Sequence, residues 1–388
     1  MIGAARATMN QRPLLLLCPC IALTVTILIM NSFCDGLSDM FDPSPVPARW
    51  IVGAASRTAS NDAAQGSADA PLLAITDLTL SVSAGGGGFA PVRNLDLALR
   101  AGETLAIVGE SGSGKSLTGL SIMGLLPPAV AMTGGAIRLA GRDIAGLGEE
   151  ALESMRGKVA SMIFQDPMSS LNPVMRVGDQ IGEAILAHQA LSAGQASGKA
   201  AELIAGVGIP DSQARTRAYP HELSGGMRQR IMIAMAIVND PILLIADEPT
   251  TALDVTIQAR VLDLLADLKK SRGLAMIFIS HSLPVVADIA DRVIVMYAGE
   301  MVEEGPAKEV FARPRHPYTA ALIACAPNES GAPPRPIDGV VPSPTDLPTG
   351  CVFAPRCGMR IAACEAARPT LIEIALDRRS RCLRWSEL

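Results

Sequence analysis

The sequence predicts an α/β fold: a buried parallel sheet wrapped by helices, preceded by an antiparallel β-subdomain, interrupted by a helical subdomain, and followed by a small Cys-rich C-terminal extension. Three observations predict it. The apolar run Thr104–Val108 passes through Gly109-Glu110-Ser111-Gly112-Ser113-Gly114 into Lys115-Ser116 and a helical pattern, which makes a strand, a glycine-rich turn and a helix. Further short apolar runs end in one or two polar groups: Val159–Phe164 in Gln165, Leu243–Ala246 in Asp247-Glu248, and Ala275–Ser280 in His281. Continuous apolar runs of this length, separated by helical stretches, suit strands covered on both faces. Finally, Cys351, Cys357, Cys364 and Cys382 lie among proline-rich turns at the end of the chain.

Composition sets the bounds. A chain of 388 residues has room for about two or three domains. Its 33 Lys and Arg against 38 Asp and Glu leave a net charge of −5, so no basic surplus points to a nucleic-acid partner.

Residues 1–70 do not resemble part of a fold. The run Leu14–Met30 is apolar or small, is broken by Pro19, and leads into the proline-rich Asp42–Pro47. By composition it is a signal sequence or a short membrane anchor. Arg6 and Arg12 precede it and Asp35, Asp39 and Asp42 follow, an asymmetry that would send the rest of the chain outward, away from nucleotide. A start-site artefact or unstructured leader is therefore the preferred reading, and an anchor the alternative.

From Pro71 the pattern changes. Leu72–Val82 alternates as a strand, Gly85–Gly88 reads as a turn, and Val92–Leu99 as a second strand, so an antiparallel sheet feeds the strand before the glycine-rich turn. Phe89, beside that turn, is a candidate to stack on an adenine or an ordinary core aromatic. In Gly109–Ser116 the glycines let backbone N–H groups approach an anion at a helix N-terminus, Lys115 reaches β- and γ-phosphates, and the Ser116 hydroxyl ligates Mg²⁺. A helix over Leu117–Leu126 closes at Pro127-Pro128, Gly134–Leu139 is a strand, and Glu149–Met155 a short helix. Gln165, at a strand end facing the turn, has an amide oxygen able to reach Mg²⁺ and an attacking water.

Residues 176–217 read as helical, with Gly/Ser breaks near 192–198. Ser224-Gly225-Gly226 then opens a helix through Val238 that contains Met227, Arg228 and Gln229, a second anion-binding helix start. At the end of the next strand, Asp247 is placed to hold the Mg²⁺ shell and Glu248 to orient or deprotonate a water in line with the γ-phosphate. Ala252-Leu253-Asp254 precedes a helix from Val255 to about Lys270, and His281 sits where the strand ends converge.

The four C-terminal cysteines follow the spacing C-x5-C-x6-C-x17-C. A thiolate cluster in a small, core-poor segment suits Zn²⁺ or an iron–sulfur cluster, and reduced or disulfide-linked structural cysteines are the alternative. The spacing does not choose among them. Cys18, Cys20, Cys34 and Cys325 carry no pattern.

Taken together, the Gly109–Ser116 turn, Gln165, Ser224–Gln229, Asp247-Glu248, Asp254 and His281 resemble, over residues 72–312, the ATP-binding cassette of ABC transporters: a P-loop NTPase with a RecA-like core, antiparallel β-subdomain and helical subdomain (about 166–239). The resemblance implies head-to-tail dimers in which Ser224–Gln229 caps ATP on the partner's phosphate loop. It further implies Glu248 as catalytic base, His281 as γ-phosphate contact, Asp254 at the dimer interface and Gln165 as the link to membrane subunits. The stretches Phe164–Pro173, Gly225–Arg230, Pro249–Thr256 and Arg315-His316-Pro317-Tyr318-Thr319 narrow it to the ATPases of oligopeptide and dipeptide importers; importers of nickel and other small ligands share the extension, so import of such a ligand is the alternative. From that narrower resemblance follow several expectations. They are a 313–388 extension holding a [4Fe–4S] cluster on Cys351, Cys357, Cys364 and Cys382, and a peripheral site on the cytoplasmic face of the inner membrane. The expected partners are a second ATPase as a heterodimer, two permease subunits and an extracytoplasmic binding protein. A soluble ABC-type ATPase of DNA repair or translation is the distant alternative, because the chain has a single cassette and no sustained heptads.

Overall fold

Alternating apolar residues build the first sheet. The structure, a computed structural model, describes residues 70–83, 88–251, 253–326 and 336–388, so the leader, most of the Gly85–Gly88 turn, Ala252, Cys18, Cys20 and Cys34 lie outside it. Strands β1 (Leu73–Val82) and β2 (Phe89–Leu99) pair antiparallel, from Val82 opposite Phe89 to Leu73 opposite Leu99. Leu73, Ile75, Leu78, Leu80, Leu95, Leu97 and Leu99 point from them into one core. The second sheet begins with β3 (Thr104–Val108), wholly buried. Helix α1 (Lys115–Met123) follows and stops at Gly124, whose left-handed conformation (φ 63°) caps it three residues before Pro127. The expected extension to Leu126 therefore does not form. β4 (Val130–Leu139) pairs with the free side of β1, and β5 (Arg142–Asp143) with β4, giving the order β2-β1-β4-β5.

After α2 (Glu149–Met155) comes β6 (Ala160–Ile163), and then the helical part: α3 (Pro167–Ser170), α4 (Val177–Leu186), α5 (Ala193–Gly206), α6 (Ser212–Arg215) and α7 (Gly225–Ile237). The break expected near 192–198 falls earlier. Ser192 accepts from the Gln195 backbone and the Gln195 side chain returns to the Ser192 backbone, a reciprocal cap that starts α5 and leaves Gly194 and Gly198 inside it.

The remaining elements are β7 (Leu243–Asp247), α8 (Val255–Arg272), β8 (Ala275–Ile279), α9 (Leu283–Ile289), β9 (Arg292–Tyr297), β10 (Glu300–Pro306), α10 (Ala307–Ala312), α11 (Pro317–Cys325), α12 (Ala362–Ala366), β11 (Ile372–Ala375) and β12 (Arg378–Ser380). The second sheet runs β11-β12-β10-β9-β3-β8-β7-β6, parallel from β9 to β6 and antiparallel from β9 through β11. Its strands alternate between two cores. Ala106, Val108, Leu244, Ala246, Met276 and Phe278 face the helical side, while Leu105, Ile107, Leu243, Ile245, Ile277 and Ile279 face the first sheet. The β11–β12 hairpin, which the sequence reading did not anticipate, adds the end of the chain to this sheet. Because β3, β6, β7 and β8 are parallel, the segments after them emerge at one rim, the place where open α/β sheets bind ligands.

Candidate functional site

Close contacts require glycine at two positions of the Gly109–Ser116 turn. A Cβ at Gly109 would lie 2.1 Å from the Met296 carbonyl oxygen, and one at Gly114 would lie 2.6 Å from the Pro91 carbonyl and 2.7 Å from Val92. Between them the turn curls around the Lys115 ammonium, which donates to the carbonyls of Gly109 (2.8 Å) and Glu110 (2.9 Å). Burial pushes the Lys115 pKa down, and the carboxylates of Glu248, Asp247 and Glu110 oppose that shift. The ammonium is thus held by carbonyls that it can exchange for phosphate oxygens.

Ser116, one residue on, donates its hydroxyl to Asp247 Oδ1 at 3.1 Å. Asp247 ends β7 and is 5% exposed, and burial raises its carboxyl pKa. A hydroxyl and a carboxylate meeting at the mouth of a phosphate-binding turn form an oxygen pair suited to a hard divalent cation.

Glu248 is the hub of the rim. Its backbone is left-handed (φ 47°) and its N–H is anchored to the Ile279 carbonyl at 2.9 Å. One carboxylate oxygen, Oε2, accepts from Gln165 Nε2 (3.0 Å) and Thr251 Oγ1 (2.8 Å) and lies 3.3 Å from His281 Nδ1. Residues after β6, β7 and β8 therefore converge on one oxygen. His281 is 63% exposed, so its imidazole is open to solvent at the rim.

The Ser224 stretch is built differently. Ser224 caps α7 by accepting from the Met227 N–H at 3.3 Å, and Asp254 caps α8 by accepting from the Ile257 N–H at 3.0 Å. Gly226 lets the two helices touch, since a Cβ there would lie 2.6 Å from Ile257 Cγ2. Ser224 and Gly225 are exposed, whereas Gln229 is 1% exposed and its Nε2 has no hydrogen-bond partner. The side chain of Gln229, grouped with the nucleotide contacts in the sequence reading, is thus packed inside the protein. Among the described residues, Ser224, Gly225, Gly226, Gln229 and Asp254 make no hydrogen bond to the Gly109–Ser116 turn of the same chain. Phe89 pairs with Val82 at the start of β2, and the cavity beside Ser111 and Gly112 is lined by Ala90, Pro91 and Ala298 instead.

In the extension, the four cysteines that the sequence spaced irregularly line a single pocket with His316, Phe353 and Arg384. The Cys351 N–H donates to the Cys364 carbonyl at 2.7 Å, and this approach requires Gly350, whose Cβ would lie 2.2 Å from the same oxygen. No disulfide joins the four. Burial raises the thiol pKa of Cys351 and Cys357, and that of Cys382 to about 11, while it lowers buried His316 to about 3. Among the described residues no group of His, Cys, Asp and Glu side chains is drawn together tightly enough to hold a metal ion as the chain stands. By chemistry alone, four thiols lining one pocket are the soft donors that thiophilic metals take.

The sequence reading missed how this extension meets the turn. Arg356, next to Cys357, makes a two-pronged ion pair with Glu110, Nη1 to Oε2 at 2.7 Å and Nη2 to Oε1 at 3.1 Å. The Tyr318 hydroxyl accepts from the Glu110 N–H at 2.9 Å, and Tyr297, Tyr318 and Phe353 pack with ring centroids 4.6 to 5.4 Å apart. One signal was available: a carboxylate inside a phosphate-binding turn needs a cation to neutralise it.

A strand, a glycine-rich turn and a helix facing an acidic strand end is the arrangement expected of a nucleotide-hydrolysing ATPase. Residues 92–251 match the family described as ABC transporter, and residues 302–364 that described as oligopeptide/dipeptide transporter, C-terminal region. The chain is 48% identical over 301 residues to the dipeptide transport ATP-binding protein DppD of Bacillus subtilis, covering 77% of this chain and 90% of that one. It is 47% identical over 329 residues to the oligopeptide transport ATP-binding protein OppD of Escherichia coli, covering 84% and 97%. A dimeric ATP-binding cassette solved in a post-hydrolysis state with ADP and Pi superposes with a TM-score of 0.55 at 25% identity, over 61% of this chain and 98% of that one. The chain belongs to the ABC transporter ATP-binding proteins that carry the oligopeptide/dipeptide transporter C-terminal region.

Proposed function

We propose that this chain is the ATP-hydrolysing subunit of a membrane importer of di- and oligopeptides. The observation that carries the catalytic part is the convergence of Gln165, Thr251 and His281 on the Glu248 carboxylate, beside the Ser116–Asp247 pair. Similarity to peptide-transport ATPases along most of both chains supports the substrate class. In this reading Gly109–Ser116 wraps the β- and γ-phosphates and Lys115 exchanges its carbonyl partners for phosphate oxygens. Ser116, Asp247 and Gln165 would hold Mg²⁺, which neutralises charge on the transferring phosphoryl group. Glu248 takes the proton of the attacking water and His281 contacts the γ-phosphate.

The exposed Ser224 and Gly225 and the capping Asp254 face outward, which supports their use across a head-to-tail dimer, here with a second, paralogous ATPase. ATP binding would close that dimer, and the helical subdomain would push on two permease subunits supplied by an extracytoplasmic binding protein. In this reading the chain sits peripherally, on the cytoplasmic face of the membrane. Among the described residues no helix is long and apolar enough to cross a membrane.

Glu248→Gln tests the base. The variant is expected to bind ATP as the wild type does and to lose turnover by at least about a hundredfold, the lower end of what a positioned base contributes. Hydrolysis at the wild-type rate would remove Glu248 from that role. The reading also gives the four-thiol pocket a [4Fe–4S] cluster, with zinc as the competing occupant. Protein purified without oxygen is expected to carry close to four irons and four acid-labile sulfides per chain. One zinc per chain, or no metal, would overturn the cluster and leave the ATPase reading standing.

A further inference from the structure

Glu110 poses an electrostatic problem. It lies in the turn that receives a polyanion, and its carboxylate would repel the phosphates across a short path of protein. Lys115 is near enough to feel this carboxylate but spends its donors on the turn's own carbonyls; among the described residues the two hydrogen bonds to the carboxylate itself both come from Arg356 of the extension. Arg356 is itself fixed from several sides. It is 5% exposed, Nε donates to the Asp338 carbonyl at 2.9 Å, Nη2 to the Ile337 carbonyl at 3.2 Å, and Nη1 reaches the Tyr297 hydroxyl at 3.3 Å. The turn is thus gripped at one residue twice, by Arg356 through the Glu110 side chain and by Tyr318 through its N–H.

We infer that Arg356 is a positioning residue for ATP: by neutralising and orienting Glu110 from the cysteine-rich extension, it sets the affinity of the phosphate loop for the nucleotide. The fork geometry of guanidinium on carboxylate supplies direction as well as charge. Lysine at 356 would keep the charge and lose the fork. The neighbouring Cys357 lines the thiol pocket, so the pocket and the ATP site are joined by adjacent residues of one short segment.

The inference rests on the ATPase reading, and four full-length variants separate the two. ATP affinity is measured with a fluorescent ATP analogue, KM and kcat by phosphate release, and folding by thermal unfolding. Arg356→Ala is expected to weaken ATP binding and raise KM about tenfold, equivalent to about 1.4 kcal/mol, with a smaller change in kcat. Arg356→Lys is expected to fall between it and the wild type, and Glu110→Gln to bind ATP at least as tightly as the wild type. The deciding variant is Arg356→Ala with Glu110→Gln, which removes the repulsion together with its neutraliser and is expected to restore affinity to within about threefold. A double variant no better than Arg356→Ala would overturn the inference, as would an Arg356→Ala protein that melts like wild type and binds ATP within twofold of it. A wild-type chain that binds no ATP would instead overturn the ATPase reading, and this inference with it.

Discussion

Gly109 is required by a neighbouring strand before any phosphate is considered. A methyl group there would overlap the Met296 carbonyl of β9, the strand hydrogen-bonded to β3. Gly109→Ala is therefore expected to lower the melting temperature as well as abolish ATP binding, at a cost of at least about 1–3 kcal/mol for the strained backbone. Thermal unfolding of the nucleotide-free protein checks it, and an unchanged melting temperature would show that the turn relaxes around the methyl. Residues of this kind were legible in the sequence, because a turn, a strand end and a helix start leave local patterns. That Gln165, Asp247, Glu248 and His281 come together was legible for the same reason: each lies at or just beyond the end of a buried strand, and parallel strands bring their ends to one rim. The pairing of Glu110 with Arg356 was not, since 246 positions separate them and only the folded chain brings them together.

At the scale of elements, the strands buried on both faces, β3, β6, β7 and β8, fall within a residue of their apolar runs, whereas β2 and β4 begin three and four residues ahead of theirs. Apolar runs buried on both faces leave little freedom in register, whereas helix ends are decided by single capping side chains. The start of α5 shows this. Gly194 and Gly198 lower helix propensity and suggested a break, but the reciprocal Ser192–Gln195 cap fixes the start ahead of them and Ala196, Ala200 and Ile204 bury one face. Ser192→Ala is expected to destabilise the protein by about 1 kcal/mol, read as a shift in the denaturant midpoint. No measurable shift would mean that packing of the buried face alone sets the start. The β11–β12 hairpin was illegible for a related reason: its strands are only four and three residues long, and the place of β12 in the sheet depends on buried charges that pair Arg378 with Glu303, 75 positions away.

Across the whole molecule, those charges join the extension to the ATPase. Arg378 on β12 is 5% exposed and pairs at 3.0 Å with Glu303 on β10, which is 0% exposed, while also donating to the Arg313 carbonyl. Burial raises the Glu303 pKa, and Arg378 opposes that shift. Removing the arginine leaves a carboxylate buried without its partner, so Arg378→Ala is expected to cost about 3–5 kcal/mol. Loss of that size in the main unfolding transition would mark the extension and sheet as one cooperative unit. A separate early transition, with the main one unmoved, would mark them as two.

The same hairpin bears on how the protein survives at high concentration in a cell. An open sheet margin is a template on which foreign strands can polymerise. Here the margin on the β10 side is closed off by β12, and the strand left outermost, β11, is four residues long, carries Glu373, and has a register irregularity between Glu373 and Ala375. A stub of that length and charge is a poor seed for runaway strand addition. The tail of the chain thereby acts as a hem, directing self-association away from the sheet's border and leaving the faces and the rim for specific partners.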